Sequence, residues 1–186
     1  MKGIVFSEFI ELVEDKFGIE IADTIIEKSN LPNQGAYTQV GTYDHKEMLT
    51  LVTHLSKETG IEVPVLVQAF GEHLLDRFTQ MYPQFFTEVN SCFAFLDTIE
   101  NKVHVEVKKL YPDAELPTFD SSIHSDSHME LLYQSKRPFS ALAYGLILGS
   151  AKYYGEQISV EMEDMSTDNQ TRVCFQLRKE AVNTLE

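Results

Sequence analysis

Tyr133-Gln134-Ser135-Lys136-Arg137 is the stretch around which the rest of this chain is organised. If Met129 to Arg137 is extended, side chains alternate between faces with period two, and Tyr133, Ser135 and Arg137 share one side. At about 3.3 Å per residue the row spans roughly 13 Å. Two hydroxyls and a guanidinium fork over that length suit a ligand carrying two carboxylates, since Arg pairs bidentately with carboxylate and hydroxyls add donors. Three polar side chains cost such a strand its apolar face, so the row calls for a buried anionic partner.

Working upstream, Asn90-Ser91 can cap a helix carrying Phe93, Leu96, Ile99, Val103, His104, Val107 and Leu110, and Tyr111-Pro112 stops it. Val103 to Val107 alternates like a strand, but an apolar pattern sustained from Phe93 to Leu110 is too long for one. His104 lies about 20° around the helix from Phe93, beside the apolar stripe. A histidine there is ordinarily structural; facing a dicarboxylate ligand, it suggests a metal. Tyr111 to Ser127, rich in Pro, Asp and Ser, reads as a long connection and the best internal boundary. Downstream, Pro138 opens a helix in which Ala141, Gly145 and Gly149 fall four apart, so that a flat ring or a neighbouring helix can approach its backbone.

A Y-x-S-x-R row, a histidine about thirty residues before it, a proline-containing loop between and a small-residue helix straight after make this chain resemble the H-NOX (haem nitric oxide/oxygen binding) domains over nearly its whole length. The resemblance implies an α+β fold. A distal helical part, residues 1–60, precedes a proximal part, 61–186, of helices and a four-stranded antiparallel sheet, with haem between them. It implies that Tyr133, Ser135 and Arg137 hold the propionates of a non-covalent haem b, that His104 is the proximal iron ligand, and that Pro117 packs against the ring. Val5, Phe9, Leu74, Phe78, Leu142 and Leu146 are expected to line the pocket.

In oxygen-binding members a distal tyrosine stands five residues after the motif arginine; here that place is Leu142, and Tyr144 lies about 200° around the helix and should face elsewhere. NO binds ferrous haem without a donor, so the resemblance implies an NO sensor of the bacterial stand-alone type that can take CO and excludes O2. NO binding is expected to loosen the iron bond to His104 and shift the two parts. With no room for an output domain, the readout falls to a partner, a histidine kinase or a diguanylate cyclase or phosphodiesterase. A haem carrier or NO-buffering protein would share every pocket residue and need no partner. A non-haem enzyme using His104 and Arg137 on a dicarboxylate is a third reading, although no carboxylate pair demands acid/base work.

The remaining sequence sets bounds. Fifteen basic against 29 acidic residues give a net charge of −14, which repels nucleic acid and anionic membranes. Cys92 and Cys174 alone suggest no disulfide framework and a cytoplasmic protein. No Cys-x-x-Cys-His offers covalent haem attachment, no apolar run reaches the roughly 20 residues of a membrane span, and the N-terminus meets acidic residues too soon for a secretory signal. Phe6, Phe9, Ile10, Val13 and Phe17 predict a first helix ending before Gly18, and Ala22, Ile25 and Ile26 a short second one. Asp44 and Glu47 predict a capping box for a third, and Pro64 opens a fourth carrying Val67, Phe70, Leu74 and Phe78. His45, His54, His124 and His128 are expected to be solvated and His73 to point sideways. Ile158, Val160 and Met162 pair with Val173, Phe175 and Leu177 in a hairpin with a core face and a wetter face, which should carry Cys174.

Overall fold

Apolar spacing and end signals set most of the helices. The computed structural model describes residues 1–180; the last six, within the span 61–186 assigned to the proximal part, lie outside the described residues. Helix α1 (Gly3–Phe17) turns into α2 (Ile19–Ser29) at Gly18, whose φ of +91° only glycine adopts easily. Helix α3 (His45–Thr59) begins at Asp44, which accepts the Lys46 N–H. The reciprocal half of the expected capping box is not made, because Glu47 accepts the Tyr37 hydroxyl instead, at 2.8 Å. Helix α4 (Val63–Met81) carries Pro64 in its first turn, and a short α5 (Gln84–Thr87) follows Tyr82-Pro83.

The predicted helix over Phe93–Leu110 is present but broken. Ser91 caps α6 (Cys92–Thr98) by accepting the Ala94 N–H. A π segment, Ile99–Val103, then inserts an extra residue, so that the His104 N–H donates five residues back to Ile99. Helix α7 (His104–Leu110) resumes the α geometry.

Strand β1 (Thr118–Ser125) occupies part of the stretch read as a connection, and β2 (His128–Ser135), α8 (Ser140–Tyr153), β3 (Ile158–Asp164) and β4 (Thr171–Lys179) complete the chain. The sheet is antiparallel in the order β1-β2-β4-β3. The α+β architecture with four antiparallel strands is therefore the one expected.

Two apolar cores flank the middle of the molecule. Phe6, Phe9 and Val13 pack with Met48, Leu51 and Leu55 in the first; Phe93 and Leu96 meet the sheet face of Met129, Leu131, Phe175 and Leu177 in the second. Full burial of each such side chain contributes about 1.5–3 kcal/mol. Helices α4 and α8 serve both cores, with Leu66 to Leu74 in the first and Leu75 in the second. They cross at Gly71 and Gly145, where a Cβ on Gly145 would lie 2.0 Å from the Gln68 carbonyl oxygen. Among the described residues no helix is long and apolar enough to cross a membrane.

Candidate functional site

Between the two cores lies a cavity of about 1080 Å³, at the upper end of the range that holds an organic ligand. Val5 of α1, Leu74 and Phe78 of α4, Pro117 before β1, and Leu142 and Leu146 of α8 all line it. So do His104, Tyr133, Ser135 and Arg137.

His104 sits at the junction of the π segment and α7, its side chain 14 % exposed. Its Nδ1 is 3.2 Å from Oε2 of Glu100, and that same oxygen accepts the Phe119 N–H at 3.1 Å. Burial pulls the imidazole pKa below its ordinary value, against the opposing pull of Glu100. A neutral ring that donates its Nδ1–H to a carboxylate keeps the Nε2 lone pair free, which is the tautomer a metal needs.

The polar row comes from β2 and the turn after it. Tyr133 is buried on the inner face of the sheet, where burial raises its phenol pKa against the lowering effects of the Ser135 hydrogen bond and the Arg137 charge. The strand ends at Ser135, two residues earlier than expected, because Ser135 Oγ turns back to accept the Arg137 N–H at 3.0 Å. Arg137 therefore stands beyond the strand and still reaches the cavity. Its guanidinium is 18 % exposed and donates to the Glu115 carbonyl oxygen at 3.3 Å and to the Glu115 carboxylate. That carboxylate, 78 % exposed, can swing to water and leave the fork to another anion. The His104 imidazole, an apolar middle and a cationic, hydroxyl-bearing rim thus fit an iron porphyrin with two propionates.

Several placements differ from expectation. Phe9 does not line this cavity; its ring packs edge-on against Phe70, centroids 5.2 Å apart, inside the first core. Being one turn deeper along α1 than Val5 removes it from the opening. His45, expected to be solvated, lines the cavity with its ring against Phe139, since α3 begins at the rim. Cys174 is on the outer sheet face, yet buried rather than wet, paired across the strands with Leu132 and Glu163. In line with expectation, Tyr144 stacks on Phe175 away from the cavity, and His73, also outside it, faces the buried Glu8 at 3.5 Å.

Glu100 and three cavity tyrosines, Tyr43, Tyr82 and Tyr111, escaped the sequence reading. Tyr82 and Tyr111 both line the cavity and interact, and burial chiefly raises the Tyr82 pKa. Tyr111 precedes a proline whose only evident signal is a helix stop. For Glu100 the signal was present, a carboxylate one turn before a histidine.

The haem-NO-binding family model matches residues 2–162. The structure of the Fe(II) unliganded H-NOX mutant A71G from K. algicida is 36 % identical and covers 100 % of both chains, with a TM-score of 0.94. The solution structure of the IWP-051-bound H-NOX from Shewanella woodyi in the Fe(II)CO state is 40 % identical, with a TM-score of 0.83 over 100 % of this chain and 97 % of that one. An S. oneidensis H-NOX in the Fe(II)NO state, 21 % identical, shares the fold with a TM-score of 0.88 over 97 % of this chain and 100 % of that one. No curated protein matches the sequence.

A haem-sized cavity between a helical half and a helix-backed antiparallel sheet, lined by His104 and a Tyr/Ser/Arg row, defines a domain fitted to bind haem. The chain belongs to the haem-NO-binding, or H-NOX, family of haem-based gas sensors.

Proposed function

We propose that this protein senses nitric oxide through a non-covalent ferrous haem b, excludes O2, and signals to a partner protein in the cytoplasm. The observation that carries the reading is the single cavity that brings His104 together with Tyr133, Ser135 and Arg137. His104 Nε2 would hold the iron, while the three polar residues hold the propionates and Pro117 packs on the ring. When bound, the haem supplies an iron centre that takes diatomic gases. Leu142 stands where a hydrogen-bond donor would be needed to favour O2, and its neighbours Leu74, Leu146 and Val5 add none, so NO is preferred. His104 is both ligand and first residue of α7, so a change in its hold on the iron is a change in the position of that helix. Such a shift biases two arrangements of the two halves, which the partner reads. A histidine kinase or a cyclic-di-GMP enzyme is the partner class this reading takes from bacterial relatives.

One absorption series tests it. The haem-loaded ferrous protein should show a Soret band that moves with NO and stays put in air, and His104→Ala should abolish or greatly weaken native haem ligation. A wild type without a Soret band after expression with sufficient haem, or an unchanged spectrum in the variant, refutes the assignment.

A further inference from the structure

Resting on the reading that His104 ligates iron, we infer that Glu100 is the positioning residue that sets how tightly His104 grips it. Glu100 lies in the π segment, one turn before His104, and one of its oxygens does two things. It lies 3.2 Å from the imidazole Nδ1, placed to accept an Nδ1–H, and it accepts the backbone N–H of Phe119, in β1, at 3.1 Å. An ionised carboxylate only accepts, so this contact fixes the tautomer with Nδ1 protonated and Nε2 open toward the cavity. A negative charge on the far side of an imidazole also makes its free nitrogen a stronger donor to a metal.

The second bond extends the effect. Phe119 is paired in register with Tyr133, and its ring lies 5.8 Å from the His104 ring and 5.5 Å from the Tyr133 ring. Glu100 therefore ties the imidazole to the strand pair that carries the polar row at the opposite rim. The extra residue of the π segment belongs to the same device, since π-bulges in helices gather at functional positions. In α7, by contrast, Glu106 pairs with Lys109, three residues on, which makes it a charge-matched comparison on the same helical run.

Two measurements on the full-length protein test the inference. In the haem-free protein, nitrogen-15 NMR of the histidine ring should show His104 protonated at Nδ1, and Glu100→Ala should lose that preference. In the ferrous haem-loaded protein, resonance Raman should show the iron–histidine stretching band moving to lower frequency in Glu100→Gln and staying put in Glu106→Gln. Haem should leave Glu100→Ala about ten- to a hundredfold faster than wild type. If the amide variant does not fold, Glu100→Asp, which withdraws the charge by one methylene, must move the band in the same direction. A wild type protonated at Nε2, an unmoved band in the folded variant, or an equal shift in Glu106→Gln overturns the inference. A wild type that takes up no haem overturns the gas-sensing reading as well, whereas a haem-loaded protein with an unmoved band overturns this inference alone.

Discussion

Gly145→Ala puts a methyl group where α4 and α8 touch backbone to backbone. Its Cβ would stand 2.0 Å from the Gln68 carbonyl oxygen and 2.9 Å from the Gly71 Cα, where ordinary contact begins at 3.4 Å. The gap must open by 3.4 − 2.0 = 1.4 Å, and Gln68 cannot rotate its oxygen away, because that oxygen belongs to the helix itself. Overpacking of this kind costs about 1–3 kcal/mol, and a clash with backbone belongs near the upper figure. Alanine returns about 1 kcal/mol in helix propensity, for a net loss of about 2 kcal/mol. In a chain of 186 residues that lowers Tm by about 4–8 °C. Gly149, one turn further along α8, is the control: its Cβ would meet the Leu75 Cβ and Cδ2 at 3.0 Å and the Glu72 Cα at 3.4 Å, a shortfall of a few tenths of an ångström with no carbonyl oxygen in the way. Thermal unfolding of the haem-free proteins by circular dichroism measures both, free of stabilisation by ligand. A Gly145→Ala protein as stable as wild type, or a Gly149→Ala protein destabilised as much, refutes the reasoning.

Other perturbations read the cavity directly. Arg137→Ala removes the guanidinium at the rim, and loss of charged hydrogen bonds worth about 1.5–3 kcal/mol should weaken haem binding about 10- to 150-fold, measured by haem competition. Leu142→Tyr introduces a phenol into the apolar wall and should raise O2 affinity, seen as an oxygenated ferrous spectrum in air. Burial lowers the His45 pKa from 6.5, so in the haem-free protein its contribution to stability is complete above pH 6.5 and is lost as pH falls through the lower folded value. The urea midpoint of the haem-free protein should therefore drop between pH 7.5 and 5.5, and less so in His45→Gln.

Much of this was legible because period and punctuation agree with the fold. Gly18, Asp44, Pro64 and Ser91 mark helix ends where the structure has them, and the alternation of β3 and β4 matches their register. Strand β1 was not legible, because an exposed edge strand needs only Phe119 and Ile123 to be apolar and reads as a polar loop. Periodicity also gives a face and not a depth. Val5 and Phe9 share one face of α1, yet the first borders the cavity and the second is sealed in the core. The π segment leaves no trace in the apolar pattern, since Phe93 to Leu110 suits an unbroken helix equally well.

That break divides one helical run into a well-packed part and a loosely packed one. Before it, α6 buries Cys92, Phe93, Phe95 and Leu96 in the second core; after it, α7 has no buried residue and exposes Val105, Lys108, Lys109 and Leu110. Few apolar contacts mean a low free energy of local displacement, so α7 can shift while α6 stays fixed. What restrains α7 at its start is His104, held by Glu100 from behind and by whatever its Nε2 meets in the cavity. A helix so loosely packed responds to a change in one bond, whereas the same bond placed in α6 would work against four buried side chains. If His104 ligates iron as proposed, its position just past the π segment lets a small change at the metal displace α7 with little lost packing.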